Sequence, residues 1–131
     1  MTALILVLDD DPPLRALLTR LLRGEGYEAI QADSAREARR LMASHRVDLV
    51  ISDVSMPGES GIAFRRALAH EHPDLPVILM SGFSSEDPVE FAARTPRTVF
   101  VPKPFPAVGM STLVADTLAR WPRAPHPAAD A

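Results

Sequence analysis

Short apolar runs and helically spaced apolar residues take turns along this chain. The runs are "LILVL" (4–8), the weaker alternating "YEAIQA" (27–32), "VDLVIS" (47–52), "PVILM" (76–80) and "TVFV" (98–101). Each is short and rich in β-branched residues, which predicts five strands, the three most apolar being buried on both faces. Leu14, Leu17, Leu18, Leu21 and Leu22 recur at i, i+3, i+4, i+7 and i+8, predicting a helix that Asp11 caps, Pro12 opens and Gly24 ends. "SARE" (34–37) reads as a capping box ahead of a second helix with Ala38, Leu41 and Met42 on its buried stripe. Ile62, Phe64 and Leu68 mark a third, which stops before Pro73. A fourth starts at Asp87-Pro88, with Glu90 in capping-box position, and Pro96 keeps it from passing Arg94. A fifth covers roughly 107–120, with Val108, Leu113, Val114 and Leu118 facing inward.

Five strands alternating with five helices predict an α/β domain with a parallel sheet and right-handed crossovers. The 131 residues suit one such domain, residues 1–121, and leave "PRAPHPAADA" (122–131) as a Pro/Ala-rich tail with nothing to bury, predicted disordered. The longest apolar run, "ALILVL", is far too short to span a bilayer. It has no basic flank and leads straight into "DDD", so it is not a secretory signal. The absence of cysteine excludes disulfides, thiolate chemistry and cysteine-based zinc sites, and is compatible with a cytoplasmic location. A net charge of −3 argues against direct nucleic-acid binding, which needs a basic surface. Arg36, Arg39 and Arg40, like Arg65 and Arg66, fall on predicted helices and read as solvated faces. His70 and His72, two apart at a helix end, read the same way, and Met56, Met80 and Phe105 read as packing.

In an open parallel sheet a site forms outside the carboxyl ends of the strands, where the strand order reverses. The first strand delivers Asp9 and Asp10 there, the third Asp53, the fourth Ser81 and the fifth Lys103. Taken singly, each is an ordinary turn or cap residue. Their convergence on one edge, at positions placed by apolar runs alone, points to a site. Clustered carboxylates repel unless a cation sits among them, and oxygen donors without sulfur or imidazole suit a hard ion such as Mg²⁺. Lys103 is the only lysine among fourteen cationic side chains, the rest being arginine. A compact ammonium on a flexible stem suits one oxygen at short range better than a planar fork does.

The motifs "LILVLDDDPPLR", "DLVISDVSMPGESG", "VILMSGF" and "VFVPKPF" together resemble the receiver domain of two-component response regulators, over residues 3 to about 120. The spacing fits as well: 43 residues from Asp10 to Asp53, 28 on to Ser81 and 22 on to Lys103. The resemblance implies a flavodoxin-like sheet of order 2-1-3-4-5 and Mg²⁺-dependent phosphoryl transfer to Asp53, with Mn²⁺ as a substitute ion. It makes Asp10 and Asp53 direct metal ligands, Ser55 a ligand through its carbonyl and Asp9 a ligand through water. Ser81 and Lys103 would contact phosphoryl oxygens, with Lys103-Pro104 a cis peptide. Ser81 and Phe100 would form the switch, and Phe83 and Ser55 would govern access and the lifetime of the phosphoform. The implied donor is a histidine kinase or histidine phosphotransfer protein, and the implied output an unknown downstream protein or a phosphorylation-dependent dimer. Such a domain is a signalling switch, not an enzyme beyond slow self-dephosphorylation.

Several positions depart from that family's pattern. Phe100 has no hydroxyl, so a switch there rests on packing. The fourth helix is clipped, and the fifth lacks the charge pattern of the dimerising transcription-factor subclass. Two other readings remain open. One is a phosphate-independent receiver-like docking module. The other is a haloacid dehalogenase-type phosphatase using Asp9 as nucleophile and Asp11 as acid/base, which Pro13 and the lack of room for a cap domain disfavour.

Overall fold

The computed structural model describes residues 2–82 and 88–123. Phe83 and Asp87 lie outside them, as does the tail from residue 124 onward. Strands β1 (Leu4–Leu8), β2 (Glu28–Ala32), β3 (Leu49–Asp53), β4 (Val77–Ser81) and β5 (Thr98–Pro102) alternate with helices. These are α1 (Pro12–Gly24), α2 (Ala35–Ser44), α3 (Gly61–Glu71), α4 (Pro88–Arg94) and α5 (Ala107–Arg120). All strand pairs are parallel and the order is β2-β1-β3-β4-β5, the flavodoxin-like arrangement.

Strand side chains alternate between faces, so the sheet divides the core in two. Leu6, Leu8, Val50 and Leu79 pack with Ala38, Ile62, Phe64 and Leu68 on the α2/α3 face. Ile5, Val7, Ile51, Ile78 and Met80 pack with Leu18, Leu22, Met110 and Val114 on the α1/α5 face. Burial on both faces explains why β1, β3 and β4 read as continuous apolar runs.

Several expectations need correction. Asp53 and Ser81 are the final residues of their strands instead of lying just beyond. Tyr27 stays out of β2, since its amide closes the end of α1 on the Leu22 carbonyl. Asp11 holds the N-cap position of α1, but its side chain accepts no cap bond. Only half of the "SARE" box forms: Ser34 accepts from the Glu37 amide, while the Glu37 carboxylate turns to Arg40. Leu17 is 60% exposed and Val108 79% exposed. Buried Thr19 and Met110 take the inward positions, because the faces of α1 and α5 are rotated from those the leucines and valines suggest.

Two cationic side chains also depart from a solvated role. Arg65 is 2% exposed, donating from Nε to Thr98 Oγ1 at 2.8 Å and from Nη2 to the Pro96 carbonyl at 2.7 Å. Burial, with Arg97 nearby, pulls its guanidinium down to about 10, still protonated at neutral pH. Arg123, counted with the tail in the sequence, anchors the chain after α5 by donating to Val47 O, Asp74 Oδ1 and His72 Nδ1 at 2.5, 3.2 and 3.0 Å. His72 is therefore half-buried and bonded, while His70 is solvated as expected.

The rotation of α5 yields a direct test by urea denaturation. Met110→Ala should cost about 2–4 kcal/mol, whereas Val108→Ala should stay within about 0.5 kcal/mol of the parent.

Candidate functional site

Strand register builds the site. Leu8 pairs with Ser52, so Asp9, one step further, stands beside Asp53. Ser81 pairs with Pro102, so Lys103 emerges one step past the end of β5. The Lys103 amide donates to the Ser81 carbonyl at 3.0 Å, and the Lys103-Pro104 peptide is cis. From there the ammonium donates to Asp9 Oδ2 and Asp53 Oδ2, each at 3.1 Å.

Asp9 is fully buried and Asp53 6% exposed, while Asp10 is open to solvent. Oxygens of all three lie within 4.8 Å of one another, the one such cluster of potential metal-ligating residues among the described residues. The remaining oxygens of the buried pair are held by backbone amides: Asp9 Oδ1 by Asp11 at 2.9 Å and Asp53 Oδ1 by Ser55 at 3.2 Å. Burial lifts the Asp53 carboxyl above the usual carboxylate range; Lys103 opposes this and the Asp9 charge adds to it. Burial pulls Lys103 the other way, but its hydrogen bond to Asp53 and the charges of both carboxylates outweigh it and hold the ammonium above the usual lysine range. Three carboxylates against one ammonium leave two negative charges, a balance that suits a divalent cation with oxygen ligands.

The structure thus brings Asp9, Asp10, Asp53 and Lys103 together, with buried Ser81 at the adjacent strand end and exposed Ser55 in the loop after β3. Phe100 lies apart, half-buried on β5 and packed against the α2/α3 core. Two supporting residues were not singled out in the sequence. Arg15 donates to the Asp9 carbonyl at 2.7 Å, and its place one turn after "DDD" was the available signal. Gly61 opens α3 against Asp53: its amide donates to the Val54 carbonyl at 2.9 Å, and a Cβ there would overlap the Asp53 carbonyl oxygen.

The response regulator receiver domain family model matches residues 5–115. The chain belongs to that family. Among curated receiver-containing relatives, the response regulator protein FleR of Pseudomonas aeruginosa is 36% identical over 115 residues, 88% of this chain and 24% of FleR. The sensor kinase CckA of Brucella abortus is 34% identical over 122 residues, 89% of this chain and 13% of CckA. The chain thus spans a quarter or less of either relative. Of the solved receivers, response regulator TrrA of Thermotoga maritima, in complex with Mg²⁺-BeF, superposes with a TM-score of 0.79 at 32% identity, covering 89% of this chain and all of that one. This receiver domain is a signalling domain of the kind that interacts with histidine kinases, and its described helices include none long and apolar enough to cross a membrane.

The tightness at Gly61 is open to mutation. Gly61→Ala should force the start of α3 away from Asp53 and lower stability in urea by about 2 kcal/mol or more. Gly58→Ala has open space around it, and should show only the smaller strain of its left-handed backbone.

Proposed function

We propose that Asp53 accepts a phosphoryl group from a histidine kinase or histidine phosphotransfer protein, with Mg²⁺ bound by the neighbouring carboxylates. The observation that carries this reading is the buried Asp9–Lys103–Asp53 bridge with Asp10 in reach of the same point. Of the two bridged carboxylates only Asp53 keeps part of its side chain, 9%, open to an incoming group; Asp9 keeps none. The same enclosure disfavours the phosphatase reading, which needs Asp9 to attack. TrrA, a relative in this family, binds Mg²⁺-BeF.

In the transfer, an Asp53 carboxylate oxygen forms the new O–P bond as the P–N bond of the donor phosphohistidine breaks, the bonding electron pair returning to the imidazole. Lys103 pairs with a phosphoryl oxygen and offsets charge that builds on the transferring group. Asp9, Asp10 and Asp53, with the Ser55 carbonyl, would hold the ion. When bound, Mg²⁺ supplies further charge neutralisation, and Mn²⁺ fills the same role. Ser81 contacts the phosphoryl group, and its movement with Phe100 switches the surface around β5 for a downstream protein or a second copy. Phe83 and Ser55 set access to the phosphoryl group. The domain acts as a switch and not as a catalyst of turnover, in the cytoplasm where the donor resides. Residues 1–121 carry this role.

Intact mass after incubation with Mg²⁺ and a small-molecule phosphodonor should show one added phosphoryl group, absent without the ion. Asp53→Asn should fold and stay unlabelled, since the buried carboxyl is costly to ionise in the metal-free domain. A labelled Asp53→Asn variant would overturn the assignment. No adduct, together with no response to beryllofluoride, would favour the phosphate-independent docking module. Lys103→Arg keeps the charge but should impair activation, read as a smaller response to beryllofluoride than in the parent.

A further inference from the structure

Arg65 buries a guanidinium inside a domain that has no need of its charge for the transfer reaction. Its five donors meet two acceptors, Thr98 Oγ1 and the Pro96 carbonyl, and Nη1 is buried with no partner. The Thr98 hydroxyl in turn donates to the same Pro96 carbonyl at 3.1 Å. A buried donor left open costs free energy, and a flexible apolar side chain of similar length would fill the space without that cost. What methionine could not supply is the polar link between α3 and β5.

That link joins two functional ends. One turn before Arg65, Gly61 seats the start of α3 on the Asp53–Val54 backbone with no room for a side chain, so the helix has little slack relative to Asp53. At the other end, Thr98 begins β5, the strand that leads to Phe100 and then to Lys103. Pro96, Thr98 and Phe100 also line a groove of about 650 Å³, shared with Arg120 and Trp121. Phe100 has no hydroxyl with which to follow the state of the site, whereas Thr98 is hydrogen-bonded to the helix that starts at Asp53.

We propose that Arg65 is a positioning residue that couples the Asp53 site to the Phe100–Trp121 groove through Thr98 and the Pro96 carbonyl. The proposal rests on the reading of Asp53 as the phosphoacceptor. A bound phosphoryl group shifts the β3 end and the start of α3 as a unit, and the guanidinium carries the shift to β5 through its bonds to Thr98 and the Pro96 carbonyl.

The test is amide NMR with Mg²⁺ and beryllofluoride. Asp10 and Asp53 report the site, while Thr98, Phe100 and the single tryptophan's indole report the groove. The parent should shift both sets. Arg65→Met should keep the site shifts, with affinity changed by no more than about tenfold, and lose those of the groove. Thr98→Val removes one acceptor at nearly constant shape, should give the same split, and decides the matter should Arg65→Met fail to fold. A merely structural Arg65 would lower stability in urea without separating the two sets. Full groove shifts in the variants would overturn the coupling role, as would a parent that shifts only the site set, and there the phosphoacceptor reading would stand. A parent that shifts neither set would remove that reading and the coupling with it.

Discussion

Two carboxylates buried side by side are tolerable only beside a positive charge, and here a single ammonium serves both. Removing the ammonium would leave both carboxylates uncompensated, at a cost of about 3–5 kcal/mol, whereas removing one carboxylate leaves the other still paired. The ammonium arrives from β5, 94 residues away from Asp9, so the bridge closes only when the sheet has assembled through to its last strand. The parallel register sets Asp9 level with Asp53 and Lys103 just past Ser81. A one-residue slip would turn every strand side chain to the opposite face and take the carboxylates off the lysine. Site and fold thus constrain each other. The sheet places the charges, and the charges penalise any other register.

Much of this was legible because strand and helix periods differ so sharply. Residues inside β1, β3 and β4 are apolar on both faces, which only a covered parallel sheet explains. Once those runs are located, the first polar residue after each is a site candidate by topology alone. Asp9, Asp53 and Lys103 occupy such positions, and the fold brings the three within hydrogen-bonding distance. Whether Ser81, Phe100 or Ser55 acts with them is a matter of motion and of bound groups, which register does not supply.

Part of what escaped the sequence has one cause: a helix's inward face is decided by what it packs on, not by its most apolar residues. On α5, Met110 and Thr117 turn inward and Val108 outward, the buried face being the one that packs Met110 and Val114 on the sheet with Ile78 and Met80. On α3, Arg65 follows Phe64 and looks like one of a pair of solvated arginines, yet only Arg66 is exposed, its guanidinium over Phe91. A buried arginine cannot be told from a surface one by spacing, since its acceptors, Thr98 on β5 and the Pro96 carbonyl before it, lie more than thirty residues away. Arg123 escaped likewise, its partners coming from β3's approach and the end of α3.

The uneven use of cations follows from these geometries. Arg39 meets Glu59 with both fork nitrogens, Arg65 spans a hydroxyl and a carbonyl, and Arg123 divides its fork among three acceptors. In each case separate acceptors lie around a planar group, which a guanidinium can satisfy without moving. At the strand ends the requirement is reversed: two carboxylates converge on one point, and the cation between them must be compact. A fork would need acceptors spread around a plane. An ammonium on a flexible stem meets both carboxylates from a single atom, so the one lysine stands where one point charge has to serve two oxygens.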